Sequence, residues 1–458
     1  MVRTARFLAA FQIVVAVYVS GPLSAADGIG WRADGTGSFS NAQPPIVWSE
    51  DRNVAWKTEL PGRSHSSPTV VGDRVFVCSD PAELLCINAA DGEILWQMSH
   101  QWADVFSAEK VAQIEASYVR AKELERARKA LQKEVSELRK VDREGSKEKV
   151  EKLKQQAIAL EAQRQEVVKY PELKRGGAGN SAATPVSDGD TVVALFGSGV
   201  IAAYSVAGER LWMTHIEAPK SGFGHSTSPV LVDGLVIVHI RDMVALDAKT
   251  GDEVWRTTLP SRWGTPVVAS VGDVPIVISP GGSIVRAGDG AVVASKLFGL
   301  GNNSPIVAGQ IIYAMEPGRF KALRLPAVMA DAIEVETVWE SRGTRQRTFA
   351  SPLLHNGEIY TVTESGIFEV TSAETGKLLE RRRMEFEKGR VYASISAAGN
   401  LIFIGCDSGE TAIIRAGGDY EEIARNRTEG YSSTPVFSGR RAFIRAKSHL
   451  YCITETDS

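Results

Sequence analysis

Two histidines, each followed by serine, are the residues of this 458-residue chain whose types and spacing best suggest chemistry. His65 stands in the segment RSHSSP and His225 in GFGHSTSP, so the two occupy equivalent places in similar segments. A His–Ser pair lacks the carboxylate that orients the base of a hydrolytic triad, and a zinc site needs three or four converging ligands. The signatures H-E-x-x-H, G-x-S-x-G and the P-loop are also absent from the sequence. The sequence therefore predicts neither catalytic residues nor a metal site.

The 4 cysteines form no metal or redox motif. Cys78, Cys86, Cys406 and Cys452 are never adjacent and never have C-x-x-C spacing. Cys86 and Cys452 lie in similar apolar runs, LLCINA and LYCITE, where a thiol packs as a small hydrophobic group. We expect core packing, with a Cys78–Cys86 disulfide across one hairpin as the alternative.

A repeat of about forty residues positions these groups. Each unit begins with small residues, in most cases followed by proline, and then a run rich in β-branched residues. Proline is tolerated there because the first residue of a strand need not donate to the ladder. From the second unit onward the spacing is 37 to 47 residues, the length of a four-stranded propeller blade. The units start at Ser66, Ala183, Thr227, Gly264, Asn303, Ala350, Ala393 and Ser433.

The two ends of the chain predict a closed ring. The last unit has room for three strands, and NVAWKTELPG near the N-terminus supplies the fourth. Such closure leaves no open sheet edge in the ring. The fold class is therefore all-β, an eight-bladed β-propeller of four-stranded antiparallel blades whose N-terminal strand closes the last blade. Fourth strands carry tryptophan at Trp56, Trp96, Trp212, Trp255 and Trp339, and Ala294, Glu380 and Ala424 replace it elsewhere.

The segment VALDAKTGDEVW, residues 244–255, identifies the repeat. It matches A-x-D-x-x-T-G-x-x-x-W, a tryptophan-docking motif, at Ala245, Asp247, Thr250, Gly251 and Trp255. A shorter version with Gly92 and Trp96 lies upstream in CINAADGEILW. In these motifs the chain resembles the pyrroloquinoline-quinone-type (PQQ-like) β-propeller repeat family, over about residues 53–100 and 176–458. It is also similar to the outer-membrane assembly lipoprotein BamB and to exported planctomycete PQQ-like repeat proteins. The resemblance implies a fold and leaves the activity open, since propellers host unrelated functions.

The segments that enter the first strands gather at one mouth of a propeller's channel, and their polar and aromatic residues are candidate binding residues. Polar groups that converge with aromatics around a concavity form the usual ligand site. The alternative is that these side chains cap the channel and hold water. The candidates are His65, Asn180, His225, Arg262, Trp263, Asn303, Arg347, Tyr392 and Tyr431.

An insertion at residues 104–175 interrupts the repeat after blade 1. Residues 107–141 are charged, rich in helix formers and free of glycine and proline. A second arm ends before Pro171 and has apolar residues at the spacing of a narrow coiled-coil seam. We expect a helical hairpin, which is either an arm that contacts a partner or a solvated surface element.

The first 26 residues have the pattern of a secretory signal peptide. Arg3 and Arg6 precede an apolar run at 7–19, which is shorter than the roughly 20 residues of a membrane span. The predicted divisions are a signal peptide at 1–26, a lead-in at 27–52, the closing strand and blade 1 at 53–103, the hairpin at 104–175, and blades 2–8 at 176–458. We expect a periplasmic or secreted protein with no transmembrane segment in the mature chain.

Composition and motifs favour a binding protein. Net charge is −3, which gives no electrostatic signature of nucleic-acid binding. We predict an exported, non-catalytic binding or scaffold protein of the cell envelope, with protein partners at the propeller face or the hairpin. The alternative is a PQQ-dependent quinoprotein oxidoreductase acting on an alcohol or a sugar. The resemblance implies that such enzymes have a calcium site and an acidic base, whereas the only acidic residue that stands out in the mouth segments is Glu429. We therefore predict no cofactor; the sequence does not support PQQ and calcium, which belong to the quinoprotein alternative.

Overall fold

Eight β-sheets arranged as propeller blades make up most of the chain in a computed structural model that describes residues 29–141, 144–173 and 178–455. The predicted signal peptide, residues 1–26, lies outside the described residues. Two strands precede the first complete blade, β1 (Ser38–Phe39) and β2 (Val54–Glu59).

Within each blade the strands follow one another in chain order, from the channel outward. Blade 1 contains β3 (Thr69–Val71), β4 (Arg74–Ser79), β5 (Glu83–Asn88) and β6 (Ile94–Ser99). Blade 2 contains β7 (Val186–Ser187), β8 (Thr191–Leu195), β9 (Val200–Ser205) and β10 (Arg210–His215). Blade 3 contains β11 (Val230–Val232), β12 (Leu235–His239), β13 (Met243–Asp247) and β14 (Glu253–Thr257). Blade 4 contains β15 (Val267–Val271), β16 (Val274–Ile278), β17 (Ile284–Arg286) and β18 (Val292–Ala294).

The second half of the ring repeats this order. Blade 5 contains β19 (Ile306–Ala308), β20 (Ile311–Glu316), β21 (Arg319–Arg324) and β22 (Glu336–Arg342). Blade 6 contains β23 (Leu353–His355), β24 (Glu358–Val362), β25 (Ile367–Ser372) and β26 (Leu378–Arg383). Blade 7 contains β27 (Ser396–Ala398), β28 (Leu401–Gly405), β29 (Glu410–Arg415) and β30 (Glu422–Arg427). Blade 8 contains β31 (Val436–Ser438), β32 (Arg441–Arg445) and β33 (His449–Ile453).

The ring is closed by the N-terminal strand, as the sequence predicts. β2 pairs antiparallel with β33, with Trp56 opposite Cys452, and so becomes the fourth strand of blade 8. β1 adds in parallel to the inner edge of blade 7 by pairing with β27. The predicted eight-bladed propeller with an inserted helical hairpin is confirmed.

Five tryptophans each join their own blade to the next one by the same contact. In blade 2 the Trp212 indole N–H donates to Ala248 O of blade 3 at 2.9 Å, and Gly251 lies against the indole ring. A β-bulge directly before this position turns the fourth strand, as bulges do, and directs the ring toward the neighbour. Equivalent indole-to-carbonyl bonds join Trp56 to Ala89, Trp96 to Val206, Trp255 to Ala287 and Trp339 to Ala373.

Other apolar groups pack where tryptophan is missing. Beside Ala294 of blade 4, Met329 and Ile333 pack from the long segment that joins β21 to β22. Between blades 7 and 8 the lead-in residue Trp48 fills the core instead and stacks on Phe403 at 6.4 Å. All four cysteines are free and buried, which agrees with the expected core packing.

The lead-in crosses the end of the central channel opposite the predicted mouth. Ile29 bridges to Ser187 in blade 2, whereas the Arg32 guanidinium donates to Pro352 O in blade 6 and Ile395 O in blade 7. Arg32 is fully buried, and this burial lowers the pKa of its guanidinium to about 9, so the side chain stays charged at neutral pH. The lead-in therefore connects distant blades across the ring.

The insertion forms a helical hairpin between blades 1 and 2. It consists of α1 (Trp102–Val105), α2 (Ala108–Val141) and α3 (Lys147–Val167). At its base Trp102, Phe106 and Tyr170 pack their rings around His215 of β10, with centroids 4.9 to 5.6 Å from the imidazole. Further out, Arg128 of α2 and Glu161 of α3 approach to 3.5 Å. Among the described residues, no helix is both long enough and apolar enough to cross a membrane.

Candidate functional site

A cavity of about 660 Å³ extends into the central channel from the mouth where the chain enters the first strands. We call it the axial funnel. Its walls come from the segments that precede the first strands and from turns between second and third strands, and Trp31 of the lead-in also lines it. The volume lies within the range of small-molecule sites, so the funnel is a candidate binding site.

A ring of eight buried residues with hydroxyl groups, which we call the hydroxyl belt, lines the funnel. Each blade contributes the serine or threonine that stands two residues before the start of its first strand. The members, in blade order, are Ser67, Thr184, Ser228, Thr265, Ser304, Ser351, Ser394 and Thr434. In seven of the eight the next residue is proline, Ser394 being the exception.

The belt joins neighbouring blades by hydrogen bonds. The backbone N–H of a belt residue donates to the side-chain oxygen of the belt residue in the next blade, as from Ser67 to Thr184 at 3.1 Å. Seven such bonds form, at 2.9 to 3.2 Å. A residue before proline is held in an extended conformation. We infer that this restriction helps to present the N–H and hydroxyl sideways to the adjacent blades.

The belt has one interruption, between blades 4 and 5. By the pattern of the other blades, the N–H of Thr265 would donate to Ser304 Oγ, but this bond is not formed. Ser304 is only 1% exposed, and its Oγ has no hydrogen-bond partner. A buried hydroxyl without a partner carries a desolvation cost, so this position is an unsatisfied point in the funnel wall.

Four of the nine predicted binding residues line the funnel: His65, Trp263, Arg347 and Tyr392. Arg262 is exposed beside Trp263 and is not among the lining residues. The binding role of all nine residues stays a prediction.

The four remaining candidates do not line the funnel, because local contacts hold their side chains. His225 is buried with Nε2 3.0 Å from Phe196 O, and burial lowers the pKa of its imidazole to about 4. The Asn303 amide donates to Met315 O at 3.4 Å, and Tyr431 shares a buried hydrogen bond with Thr411. Asn180 donates to Pro81 O and accepts from the Ser198 N–H.

Several lining residues are not among the nine predicted ones. Most of them stand in segments whose place in the repeat indicates a position at the mouth. Phe223 and Phe349 lie within the mouth segments GFGHSTSP and QRTFASP, which also contain the predicted binding residues His225 and Arg347. Asp407 and Lys447 come from turns between second and third strands, which are not among the predicted mouth segments. Nothing in the irregular lead-in sequence indicates that Trp31 reaches the funnel.

Aromatic and cationic groups dominate one side of the funnel. The Arg347 guanidinium lies 4.5 Å from the centre of the Phe349 ring, which packs against Tyr392 at 4.8 Å. Lys447 Nζ donates to Asp407 O at 3.3 Å, while Asp407 Oδ1 accepts the Arg390 N–H at 2.8 Å. Within the described chain, neither Arg347 nor Lys447 forms an ion pair with a carboxylate. The lining therefore has excess positive charge.

The described residues do not fit a calcium-bound quinone. Calcium prefers six to eight oxygen ligands, with carboxylates prominent among them. Asp407 is the one carboxylate among the funnel's lining residues, and it is already engaged by a backbone N–H. No group of three or more His, Cys, Asp or Glu residues gathers anywhere in the described ranges. The absence of such a cofactor stays a prediction.

The closed ring of eight blades with docked tryptophans and a polar axial funnel defines a PQQ-like repeat β-propeller. The chain belongs to the family described as "Outer membrane protein assembly factor BamB", whose profile matches residues 39–124 and 224–458. One curated relative, the outer membrane protein assembly factor BamB of Legionella pneumophila (strain Paris), is 24% identical over 208 residues. That match covers 42% of this chain, which spans about half (51%) of the relative.

Solved structures share the fold at low sequence identity. BamB from Moraxella catarrhalis matches with a TM-score of 0.57 at 13% identity, covering 88% of this chain and 98% of that one. Quinohemoprotein alcohol dehydrogenase from Comamonas testosteroni matches with a TM-score of 0.56 at 11% identity, covering 93% and 82%. A europium-containing methanol dehydrogenase gives 0.54 at 13% identity, covering 87% and 86%. At these identities the likeness concerns the fold, which binding proteins and enzymes share.

Proposed function

We propose that this protein is an exported, non-catalytic binding protein of the cell envelope. It holds protein partners through the funnel face of its propeller and contributes to envelope-protein assembly. Membership of the BamB family supports this role.

The observation that carries the proposal is that the funnel's hydroxyl groups are engaged in bonds between blades. Seven of the eight belt hydroxyls accept a backbone N–H from the preceding blade, so they hold the ring together. The eighth, Ser304 Oγ, has no partner that could act as a general base. A concavity with aromatic walls and no assembled nucleophile suits recognition better than covalent chemistry.

The helical hairpin adds a second contact element beside the funnel. Ala178 and Ala182, which follow the hairpin in the chain, line the funnel, so the hairpin rejoins the propeller near the funnel wall. Its aromatic base packs on His215 and holds the hairpin against blade 2. A partner that covers the funnel face is therefore within reach of the hairpin.

Cross-linking in the cells that produce the protein tests the proposal. A C-terminally tagged chain is cross-linked, recovered from the envelope fraction and analysed for bound outer-membrane proteins and their assembly factors. We compare it with a variant in which a short glycine-rich turn joins Arg128 to Glu161, which shortens the hairpin above its base. We expect both proteins to fold, and the shortened variant to recover less of its partner.

Two results would contradict the proposal. Recovery of the protein from the cytoplasmic fraction would overturn export, and an envelope fraction without specific protein partners would overturn the assembly role. An equal yield of partner from the shortened variant would remove the hairpin from the contact surface and leave the funnel face as the remaining element.

The enzyme alternative is tested separately with the purified protein. Adding PQQ together with Ca²⁺ is expected to leave both the absorbance spectrum of the quinone and the melting temperature of the protein unchanged. Saturable changes in either would instead support the quinoprotein alternative.

A further inference from the structure

The interruption in the hydroxyl belt lies next to a segment that carries an exposed tryptophan, because Gly264, the neighbour of Trp263 in the chain, lies against Ser304. Trp263 stands directly before the belt segment of blade 4 and is 37% exposed, although it lines the funnel. Ser304, with its unpartnered Oγ, is the belt residue of blade 5. Asn302, two residues before Ser304, has the place that Trp263 has in blade 4, and it also lines the funnel.

Gly264 keeps this corner open. A Cβ at Gly264 would lie 3.1 Å from Ser304 Oγ and 2.3 Å from Asn303 O, so no larger residue fits here without movement. The corner therefore combines a flat aromatic face, a side-chain amide and a buried hydroxyl that can both donate and accept. A sugar ring has the matching properties, with apolar C–H faces and hydroxyls at its edge.

The next blade around the ring adds a positive charge. Arg347 lines the funnel, and its guanidinium contacts the Phe349 ring, leaving its planar N–H groups available for a carboxylate. Lys447 supplies a second cation further around the wall. Since Asp407 is the one acidic lining residue, the funnel favours a ligand with negative charge.

We propose that the axial funnel binds an acidic glycan, that is, sugar residues that carry a carboxylate. One ring lies against Trp263 with its hydroxyls at Asn302 and Ser304 Oγ, and the carboxylate of the same or a neighbouring residue lies at Arg347. The cavity of about 660 Å³ admits a short stretch of glycan. This goes beyond the proposed role in envelope-protein assembly and does not depend on it.

Calorimetry on the purified full chain with three defined probes tests the proposal. The probes are tetragalacturonate, the neutral tetrasaccharide cellotetraose, and a tetraglutamate peptide that carries charge without a sugar ring. We expect saturable binding of tetragalacturonate that weakens with added salt, and at least tenfold weaker binding of the other two.

Three variants locate the site. Trp263→Ala is expected to weaken tetragalacturonate binding about thirtyfold, and Arg347→Gln about tenfold with loss of most of the salt dependence. Ser304→Ala is expected to weaken it about fivefold. Ser304→Ala removes a hydroxyl that has no partner in the fold, so the variant is expected to fold normally. Arg383→Gln, an exposed arginine on β26 outside the lining, is the control for loss of one positive charge and is expected to bind normally.

Each other outcome overturns the proposal. Equal binding of cellotetraose removes the role of the carboxylate, and equal binding of tetraglutamate shows that the funnel selects charge or peptide rather than a glycan. No saturable binding of tetragalacturonate, or normal binding by both folded Trp263→Ala and Ser304→Ala, removes the site itself. Envelope partners recovered by cross-linking are unaffected by these results, so the two proposals fail independently.

Discussion

At the scale of single residues, the hydroxyl belt provides two neighbouring serines with opposite roles. Ser351 Oγ accepts the Ser304 N–H at 3.0 Å, whereas Ser304 Oγ has no partner. Ser351→Ala leaves a buried N–H unsatisfied and is expected to lower the free energy of unfolding by about 1–3 kcal/mol. Urea-induced unfolding, followed by circular dichroism, measures the loss.

Ser304→Ala is the matched control for Ser351→Ala. It deletes the same atom in the same ring but breaks no hydrogen bond, so we expect a change in the free energy of unfolding near zero. Equal destabilisation by the two variants would mean that the belt bonds contribute nothing specific.

Two buried histidines make the stability of the propeller depend on pH. Burial lowers the pKa of His225 and of His239 to about 4, from an ordinary value of 6.5. The unfolded chain therefore binds protons between pH 6.5 and about 4 that the folded chain does not, and stability falls as pH falls through this window. Each histidine contributes at most about 1.4 kcal/mol per pH unit.

The urea midpoint measured across this window tests the histidine prediction. The double variant His225→Gln/His239→Gln is expected to lose stability less steeply on acidification than the unmodified chain, because its remaining acid sensitivity comes from other groups. Identical slopes in the two proteins would show that these histidines are not responsible.

Residue types at the mouth were predictable from sequence, but side-chain directions were not. The mouth segments gave His65, Trp263, Arg347 and Tyr392, which line the funnel. His225 matches His65 in its sequence neighbours, yet it turns inward to Phe196 O, a choice made by packing within blade 2. The belt itself is visible as Ser or Thr in all eight units, but the hydrogen bonds that join its members depend on the ring geometry and leave no further signal in the sequence.

At the scale of the blade, the tryptophan contact requires glycine on the neighbour. Gly251 has φ +76°, and a Cβ there would lie 2.6 Å from the Trp212 ring. Gly251→Ala is therefore expected to destabilise the protein through both backbone strain and the clash with the indole. Gly234 has φ +72° with nothing within 4 Å of a built Cβ, so Gly234→Ala carries the strain alone.

The difference between the two glycine variants isolates the docking contact. We expect Gly251→Ala to lower the free energy of unfolding by at least about 1 kcal/mol more than Gly234→Ala does. Trp212→Ala is expected to cost about 3–5 kcal/mol, as for other large buried aromatics. Equal losses from the two glycine variants in urea unfolding would argue against a tight indole contact.

We expect the outer part of the helical hairpin to contribute little to the stability of the propeller. Arg128 and Glu161 approach to 3.5 Å across the two helices, so joining them shortens the hairpin while keeping its aromatic base. The melting temperature of this variant is expected to stay within about 2 °C of the unmodified protein. Phe106→Ala, which removes part of the base on His215, is the contrasting variant and is expected to lower it.

Elements that repeat were predicted well, because eight copies of one pattern reinforce each other. The fourth strands were found even where Ala294, Glu380 and Ala424 replace tryptophan. What fills those places was not predictable, since Ile333 and Trp48 come from an irregular segment and from the lead-in. Such contacts are set by the path of the chain and leave no periodic signal in the sequence.

At the scale of the whole molecule, the lead-in connects distant blades across the ring, and we call this set of contacts the brace. Arg32 is fully buried and donates to carbonyls of blades 6 and 7, while Ile29 bridges to blade 2. Arg32→Ala leaves two buried carbonyls without these donors and is expected to lower the free energy of unfolding by at least about 2 kcal/mol.

The matched control for the brace is Arg262→Ala, which removes an exposed arginine and is expected to change stability by less than about 0.5 kcal/mol. Urea unfolding compares the two variants. If Arg32→Ala is as stable as the control variant, the free energy lost by desolvating the guanidinium equals the free energy gained from its hydrogen bonds. The brace was not predictable, because GWRADGTG has neither the alternation of a strand nor the spacing of a helix.

The strand pairing that closes the ring also determines the order in which parts of the ring can form during folding. Trp56 and Cys452 are partners in one sheet although about 400 positions separate them in the chain. A growing chain therefore presents β2 long before β33 exists, and contacts of such long range form late. Until then the inner and outer edges of unfinished blades stay exposed to pairing with other chains. We expect refolding yield to fall steeply with protein concentration, and the native ring to appear only after the C-terminal blade is complete.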